Sequence, residues 1–338
     1  MRDFMAKITI ETVAQRAGVT AATVSYALSG KKKISLEVKQ RIMDVVKELD
    51  YRPSITARNL ASSKTWTVGL YASPTQNIRE DYFFNNILAG ILDVLHEKKY
   101  QIQLYADYQS EEESEQPNIH MTQPIDGALI MNPRIHDKYI QKIMQRNIPF
   151  VVIGTPEDRE NCFYVDADIT AGYYAAVQYL IKKGHTKILL INGSAEYIQT
   201  EKRKAGYILA YKDNDLMFED KWIRNVQMLE EDGYNEFKKI VEEISDFTAV
   251  VTFNDTIAVG VLRVLKEKGI SVPGKVAVLS AGNTMITRIH SPSVTSLDMG
   301  SYDIGMKAAE LLLEVIEKKR IQPSHTIIHT HLVEREST

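Results

Sequence analysis

The stretch Thr9-Ile10-Glu11-Thr12-Val13-Ala14-Gln15-Arg16-Ala17-Gly18-Val19-Thr20-Ala21-Ala22-Thr23-Val24-Ser25-Tyr26-Ala27-Leu28 reads as two short helices joined by a tight turn. Thr9 can cap a helix over 10–17, Gly18 tolerates the left-handed backbone of the turn, and Thr20 can cap a second helix over 21–28. Val13, Ala14 and Ala17, Val19 in the turn, and Val24 and Leu28 make one small apolar face. This is the helix-turn-helix pattern, whose second helix enters the major groove of DNA. Ser35 opens a third helix, in which Val38, Ile42, Val45, Val46 and Leu49 recur at steps of three and four and so pack across the first two.

Charge supports a polyanion partner for this head. Residues 1–64 carry 12 Lys+Arg against 6 Asp+Glu, an excess of six, so the remainder holds a net −9 within a chain of −3. On the second helix, Ala21, Ala22 and Ser25 are small enough for close approach to base edges, and alanine methyls can touch thymine methyls. Lys31, Lys32 and Lys33 follow in a loop that is either a set of phosphate contacts or a solvated lysine surface. Next to a helix-turn-helix the phosphate reading prevails.

The motifs Thr9-Ile10-Glu11-Thr12-Val13-Ala14, Ala17-Gly18-Val19-Thr20 and Ala22-Thr23-Val24-Ser25 resemble the head of the LacI/GalR (lactose-repressor/galactose-repressor) family of bacterial transcription regulators. Tyr51-Arg52-Pro53 and Ala57-Arg58-Asn59-Leu60-Ala61 resemble its hinge, and the likeness runs through nearly the whole chain. The resemblance implies a DNA-contacting set of Thr9, Thr20, Ala21, Ala22, Thr23, Ser25, Tyr26, Ser29, Lys33, Ala57, Arg58 and Leu60. Leu60 would be the wedge that enters a central base step from the minor groove. Tyr26 departs from the pattern: many members carry Arg there, which reads guanine bidentately as Tyr cannot. Pro53 ends the third helix, and the segment 55–61 is too short to hold a helix alone in water. It is expected to fold only on DNA.

From Trp66 the pattern changes to buried strands alternating with amphipathic helices. Strands are expected at 67–71, 102–105, 128–131, 150–153, 188–191, 249–253 and 276–279. Helices are expected near 83–98, 137–146, 170–183, 200–213, 234–244, 256–268 and 303–318. The stretch 109–124, with three consecutive glutamates and Pro117, reads as a short or broken helix with a solvated acidic face. The fold class is thus an all-α helix-turn-helix domain plus a doubly wound α/β body with parallel sheets. Family resemblance makes that body two-lobed and periplasmic-binding-protein-like. The expected boundaries are 1–52 for the head, 53–65 for the hinge and 66–338 for the core, with one lobe at about 66–167 and 299–329 and the other at about 168–298 and 330–338.

A small-molecule effector, a sugar or sugar derivative on the family pattern, would bind in the cleft at strand C-terminal ends. Arg203, three residues before Gly206, matches the family arginine that grips ligand oxygens; otherwise it is an exposed helix arginine. Asn254-Asp255, before Ile257-Ala258-Val259-Gly260, resembles another family motif. Asn254 is the better ligand contact, and Asp255 is either a second contact or the cap of the next helix. Sugar-binding members usually place an Asp where this chain has Gly282, in Ser280-Ala281-Gly282-Asn283. Either Asn283 or another group substitutes, or the effector is not a typical sugar.

Hydrophobic residues at 44% and charged residues at 25% favour neither disorder nor a membrane class, and no apolar run reaches the roughly 18 residues that span a bilayer. With a single cysteine, Cys162, and no secretory signal, a reducing cytoplasmic setting is expected, without a metal or other cofactor. An enzyme is disfavoured because the eight histidines form no HExxH or HxxxH pattern and no phosphate loop occurs. A transport binding protein would leave the basic head unexplained. A regulator answering to a partner protein instead of a ligand stays open because of Gly282. The expected partners are double-stranded operator DNA and a second copy of the chain. Six residues beyond Leu332 leave no room for tetramerising heptads, so a homodimer is preferred.

Overall fold

The computed structural model describes residues 8–29, 34–51, 64–72, 81–105, 124–227, 230–244 and 246–338. The chain divides into two compact units after Thr65.

The first unit holds α1 (Ile10–Ala17), α2 (Ala21–Ser29) and α3 (Leu36–Glu48). Thr9 and Thr12 cap α1 reciprocally, and Gly18 closes it at φ 65°. The Thr20 hydroxyl accepts from the Thr23 amide at 3.2 Å, and that of Ser35 accepts from the Val38 amide at 3.4 Å. These caps start each helix where the sequence turns from polar to apolar-periodic. Val13, Ala14, Ala17, Val24, Ala27, Ile42, Val45 and Tyr51 form the core. It is small, and alanines let the three helices approach closely.

The second unit begins with β1 (Thr67–Ala72), α4 (Tyr82–Glu97), β2 (Gln101–Tyr105), β3 (Gly127–Met131), α5 (Lys138–Gln145), β4 (Phe150–Ile153) and β5 (Tyr164–Ala167). Then follow α6 (Ile169–Lys182), β6 (Ile188–Asn192), α7 (Ile198–Lys212), β7 (Ile223–Asn225), α8 (Glu230–Glu243), β8 (Ala249–Thr252), α9 (Asp255–Glu267), β9 (Ala277–Ala281), α10 (Met285–Ile289) and β10 (Thr295–Asp298). The unit ends with α11 (Ser301–Ile316), β11 (His325–Ile328) and β12 (His331–Val333). One sheet has the order β11-β5-β4-β3-β1-β2 and the other β12-β10-β9-β8-β6-β7. Every pairing is parallel except β10 with β12. The chain passes from one sheet to the other between β5 and β6, between β10 and β11, and between β11 and β12, which makes two lobes.

The central strands β3, β6, β8 and β9 are buried along their whole length, as parallel strands covered on both faces must be. The strands that periodicity did not reveal are β5, β7, β10, β11 and β12. They are three or four residues long, and most carry Asp, Ser, Thr, Arg or His among their apolar residues. In the first lobe α4 and α11 lie against each other at two glycines. A Cβ on Gly90 would come within 2.2 Å of the Tyr302 carbonyl oxygen, and one on Gly305 within 2.1 Å of that of Ile87. The tail beyond β12 is stitched to the second sheet: the Val278 amide donates to the Ser337 carbonyl at 2.8 Å, and the Ser337 hydroxyl donates to the Val278 carbonyl at 2.6 Å. Residues 53–63 of the expected hinge and residues 109–123 of the acidic stretch lie outside the described residues.

Candidate nucleic-acid interface and ligand cavity

On α2 the packing sorts residues by role. Val24 and Ala27 turn into the core, whereas Ala22 and Thr20 are exposed and Ala21, Thr23, Ser25 and Tyr26 are half-buried. Thr20 and Thr23 bond to each other, hydroxyl to hydroxyl at 2.9 Å, at the start of the helix. The first turns of α2 therefore offer a narrow face of methyls and hydroxyls, with a phenol one position further on. Thr9 is exposed at the start of α1. Lys33, Ala57, Arg58, Leu60 and the side chain of Ser29 lie outside the described residues.

In the second unit a cavity opens between the lobes. Its polar groups come from the C-terminal ends of the strands. Asn132 follows β3, Asp166 belongs to β5, Asn254 follows β8, and Gln199 and Arg203 occupy the first turns of α7. Phe83, Ile87, Ile169, Phe253, Met299 and Ile304 supply apolar walls. Strand ends and helix starts converge there because parallel strands point their carboxyl ends, with the loops that follow, toward one edge of each sheet.

Arg203 and Asn254, two of the residues expected at the site, face this cavity. Arg203 lies over the Phe253 ring at 5.2 Å and reaches Asn192 Oδ1 at 3.5 Å, while its Nε has no protein acceptor among the described residues. Burial pulls its guanidinium below the ordinary value; the nearby Tyr173 phenol and Asp166 pull the other way. Asn254 rather than Asp255 caps α9, its Oδ1 accepting from the Ile257 amide at 2.7 Å.

Asp255 and Asn283 do not line the cavity. The Asp255 carboxylate, 3% exposed, accepts from Ser280 Oγ at 2.5 Å, Ser296 Oγ at 3.0 Å, and the Thr284 amide and hydroxyl at 2.7 and 2.8 Å. It ties the loop after β9 to α9. Asn283 is held by Asp298, to which its Nδ2 donates at 2.7 Å, and by Arg335, which donates to its Oδ1 at 2.5 Å. The Asp that sugar-binding members carry has no substitute in Asn283, whose amide is engaged away from the cavity. Gly282 has φ 131°, and a Cβ there would lie 2.9 Å from Asp255 Oδ2. Glycine is what lets the loop close over that carboxylate.

Sequence reasoning missed Gln199, which is 6% exposed and faces the cavity with both amide atoms unpartnered among the described residues. Its spacing was the available signal: four residues before Arg203 on one helix puts both on the same face. Also missed was the bridge across the cleft. Lys202 on α7 donates to Thr155 Oγ1 and, at 2.9 Å, to Asp166 Oδ2, which also accepts from Thr155 Oγ1 at 2.6 Å. Nearby, Arg134 and Tyr197 form an isolated antiparallel bridge, and the Ile135 amide donates to the Glu196 carbonyl at 2.8 Å. Among the described residues there is no group of three or more His, Cys, Asp or Glu able to hold a metal ion, and no helix long and apolar enough to cross a membrane.

Comparison with known proteins gives a consistent pattern. Residues 9–54 match the bacterial regulatory proteins of the lacI family, and residues 177–338 match a periplasmic binding protein-like domain. Catabolite control protein A of Streptococcus mutans is 30% identical over 334 residues, covering 98% of both chains. Among solved structures, a complex of the transcriptional regulator CelR with cellobiose is 27% identical with a TM-score of 0.77, covering 98% of this chain and 100% of that one. The lac repressor dimer bound to operator and an anti-inducer has a TM-score of 0.87 at 20% identity, covering 98% and 99%, and bears on the fold alone.

Proposed function

This chain belongs to the lacI family of bacterial regulatory proteins, and on that premise we propose that it is a cytoplasmic repressor that occupies a near-palindromic operator as a homodimer. Its control comes from a small, carbohydrate-related effector in the interlobe cavity. The observation that carries this reading is one chain holding both a helix-turn-helix with a small-residue face on α2 and a cavity lined by Gln199 and Arg203, which carry buried polar atoms without a partner among the described residues. A buried amide without a partner is costly, and its presence at a cavity favours a ligand over a cleft that answers only to a protein.

One head reads only a few base pairs, so two-fold symmetric heads on a palindrome double the readout. The contact set is Thr9, Thr20, Ala21, Ala22, Thr23, Ser25, Tyr26, Ser29 and Lys33 in the head, and Ala57, Arg58 and Leu60 in the hinge, with Leu60 wedged into a base step. Effector binding changes the angle between the lobes, which separates or joins the two hinges. By linkage, effector and DNA then alter each other's affinity by the same factor.

The test is selection of bound duplexes from a random pool, followed by footprinting at several salt concentrations with and without a metabolite panel. A palindromic consensus is expected, with log affinity falling against log salt at a slope on the order of −5 to −10. Leu60→Ala should weaken the footprint while leaving folding intact. A chain that selects no duplex, or whose binding ignores salt, is not this regulator.

A further inference from the structure

Resting on the reading of the cavity as the effector site, we infer that the effector is a sugar acid. Its carboxylate meets Arg203 and Gln199, and its hydroxyls face Asn132 across the cleft.

The argument starts from which groups the second lobe turns toward the cavity. Gln199 is nine-tenths buried, and neither its Nε2 nor its Oε1 has a protein partner among the described residues; the Nε of Arg203, one helical turn on, is in the same state. The two residues share a face of α7. A guanidinium is donor-only, and its planar fork matches a carboxylate. The neighbouring amide of Gln199 adds a further N–H donor and one acceptor.

Among the described residues, the same lobe turns no carboxylate toward the cavity to receive sugar hydroxyls. Gly282 carries no side chain, and Asp255 is enclosed by four donors. Asp298 accepts from Asn283 Nδ2 and the Gly300 amide, and Asn254 Oδ1 is engaged as a helix cap. A hydroxyl must both give and take a hydrogen bond, so a neutral sugar placed here would find donors in excess. A carboxylate only takes. On the opposite wall Asn132 faces the cavity, and its side-chain oxygen can receive a hydroxyl proton, whereas Asp81 caps α4 by accepting from the Phe84 amide at 2.9 Å. Asp166, the other carboxylate, is paired with Lys202 and Thr155. Among the described lining residues Arg203 is thus the one cation, and it suits a monoanion better than a phosphate dianion. Phe83 and Phe253 offer aromatic walls for the C–H faces of a ring.

The experiment is calorimetric titration of the full-length protein, at matched ionic strength, with D-galacturonate, D-glucuronate and D-gluconate against D-galactose, D-glucose and glucose 6-phosphate. At least one acid should bind more tightly than its neutral parent, on the order of tenfold to a hundredfold. Arg203→Met should remove that preference, and the near-isosteric Gln199→Glu should invert it by placing a carboxylate against the anion. Thermal unfolding of each variant monitors the fold. Neutral parents binding as well as the acids, or glucose 6-phosphate binding best, would overturn the sugar acid while leaving the cavity as the effector site if Arg203→Met still weakens binding. Acid binding that neither variant alters would overturn both readings. If no acid binds, the sugar acid is wrong, and the metabolite panel with operator DNA judges the site separately.

Discussion

Lys202 Nζ lies 2.9 Å from Asp166 Oδ2, an ion pair with its ammonium on α7 of the second lobe and its carboxylate at the end of β5 in the first. The two side chains are 20% and 7% exposed, so the pair is shielded from the water that makes surface pairs weak. Thr155 completes it by contacting both partners. The lobes are joined here beside the interlobe cavity.

Removing the cation tests that latch. Lys202→Met leaves the Asp166 carboxylate with Thr155 Oγ1 at 2.6 Å and the Ala167 amide at 2.8 Å as its remaining described donors. Losing one partner of a buried pair is costly because the other charge stays behind, and partial exposure moderates the loss to about 2–3 kcal/mol. Urea unfolding should register this, and small-angle scattering should report a more open body. Adding Asp166→Asn should recover much of the stability, giving a coupling energy of about 1 kcal/mol or more. Additive losses with an unchanged scattering profile would rule out a latch.

Gly282 and Asp255 form a second close pair. Placing a carboxylate there with Gly282→Asp meets two obstacles. The backbone at φ 131° is nearly closed to side chains, and the new Cβ would sit 2.9 Å from the Asp255 carboxylate. We expect a loss of about 2–4 kcal/mol by denaturant titration, without a gain in affinity for neutral sugars. Wild-type stability combined with tighter galactose binding would mean that the loop accommodates the side chain.

The head and the alternating body were legible because their signals are local. A Thr cap, a Gly at the turn and apolar steps of three or four decide α1, α2 and α3 without reference to distant residues. Buried parallel strands such as Val250 and Val251 in β8 read as short apolar runs. The site was legible only in part, because its residues are joined by tertiary contacts. Gln199 is a polar helix residue in sequence; only the fold shows it buried without a partner among the described residues. Asp255 follows Asn254, yet the strand-to-helix turn sends one carboxylate inward to Ser280 and Ser296 and leaves the other side chain to cap α9. Nor could spacing pair Lys202 with Asp166, 36 residues away across two lobes.

Asp255 itself should leave a mark on the pH dependence of stability. Burial raises its carboxyl above the ordinary aspartate range, and the hydrogen bonds from Ser280, Thr284 and Ser296 oppose that rise. A raised pKa means that the folded state holds the proton to higher pH than the unfolded chain. The resulting stability is full below the unfolded value and is lost as pH climbs through the folded one. Asp255→Asn removes this component, so urea unfolding at stepped pH should show the wild type losing ground relative to the variant across that window. At neutral pH, Asp255→Ala should cost on the order of 3 kcal/mol, since four donors lose their acceptor. If the difference between wild type and Asp255→Asn does not change with pH, the carboxyl does not titrate in this window.

On the operator contact proposed above, Tyr26 sets the preference at one base pair. It stands on α2 beyond the small residues Ala21, Ala22 and Ser25, one position past Ser25, and is half-buried. A phenol offers one donor and can accept, whereas a guanidinium forks onto the O6 and N7 acceptors of guanine. Tyr26→Arg should therefore leave the palindrome and its spacing intact while moving one symmetric pair of positions toward G·C. A good bidentate contact discriminates by about 1–3 kcal/mol, so each half-site should gain roughly tenfold to a hundredfold preference there. Random-pool selection with both proteins reads this directly. Because the substitution touches base edges and not phosphates, the salt slope should change little. A uniform rise in affinity for all duplexes, with no change in the selected base pair, would show instead that position 26 faces the sugar-phosphate backbone.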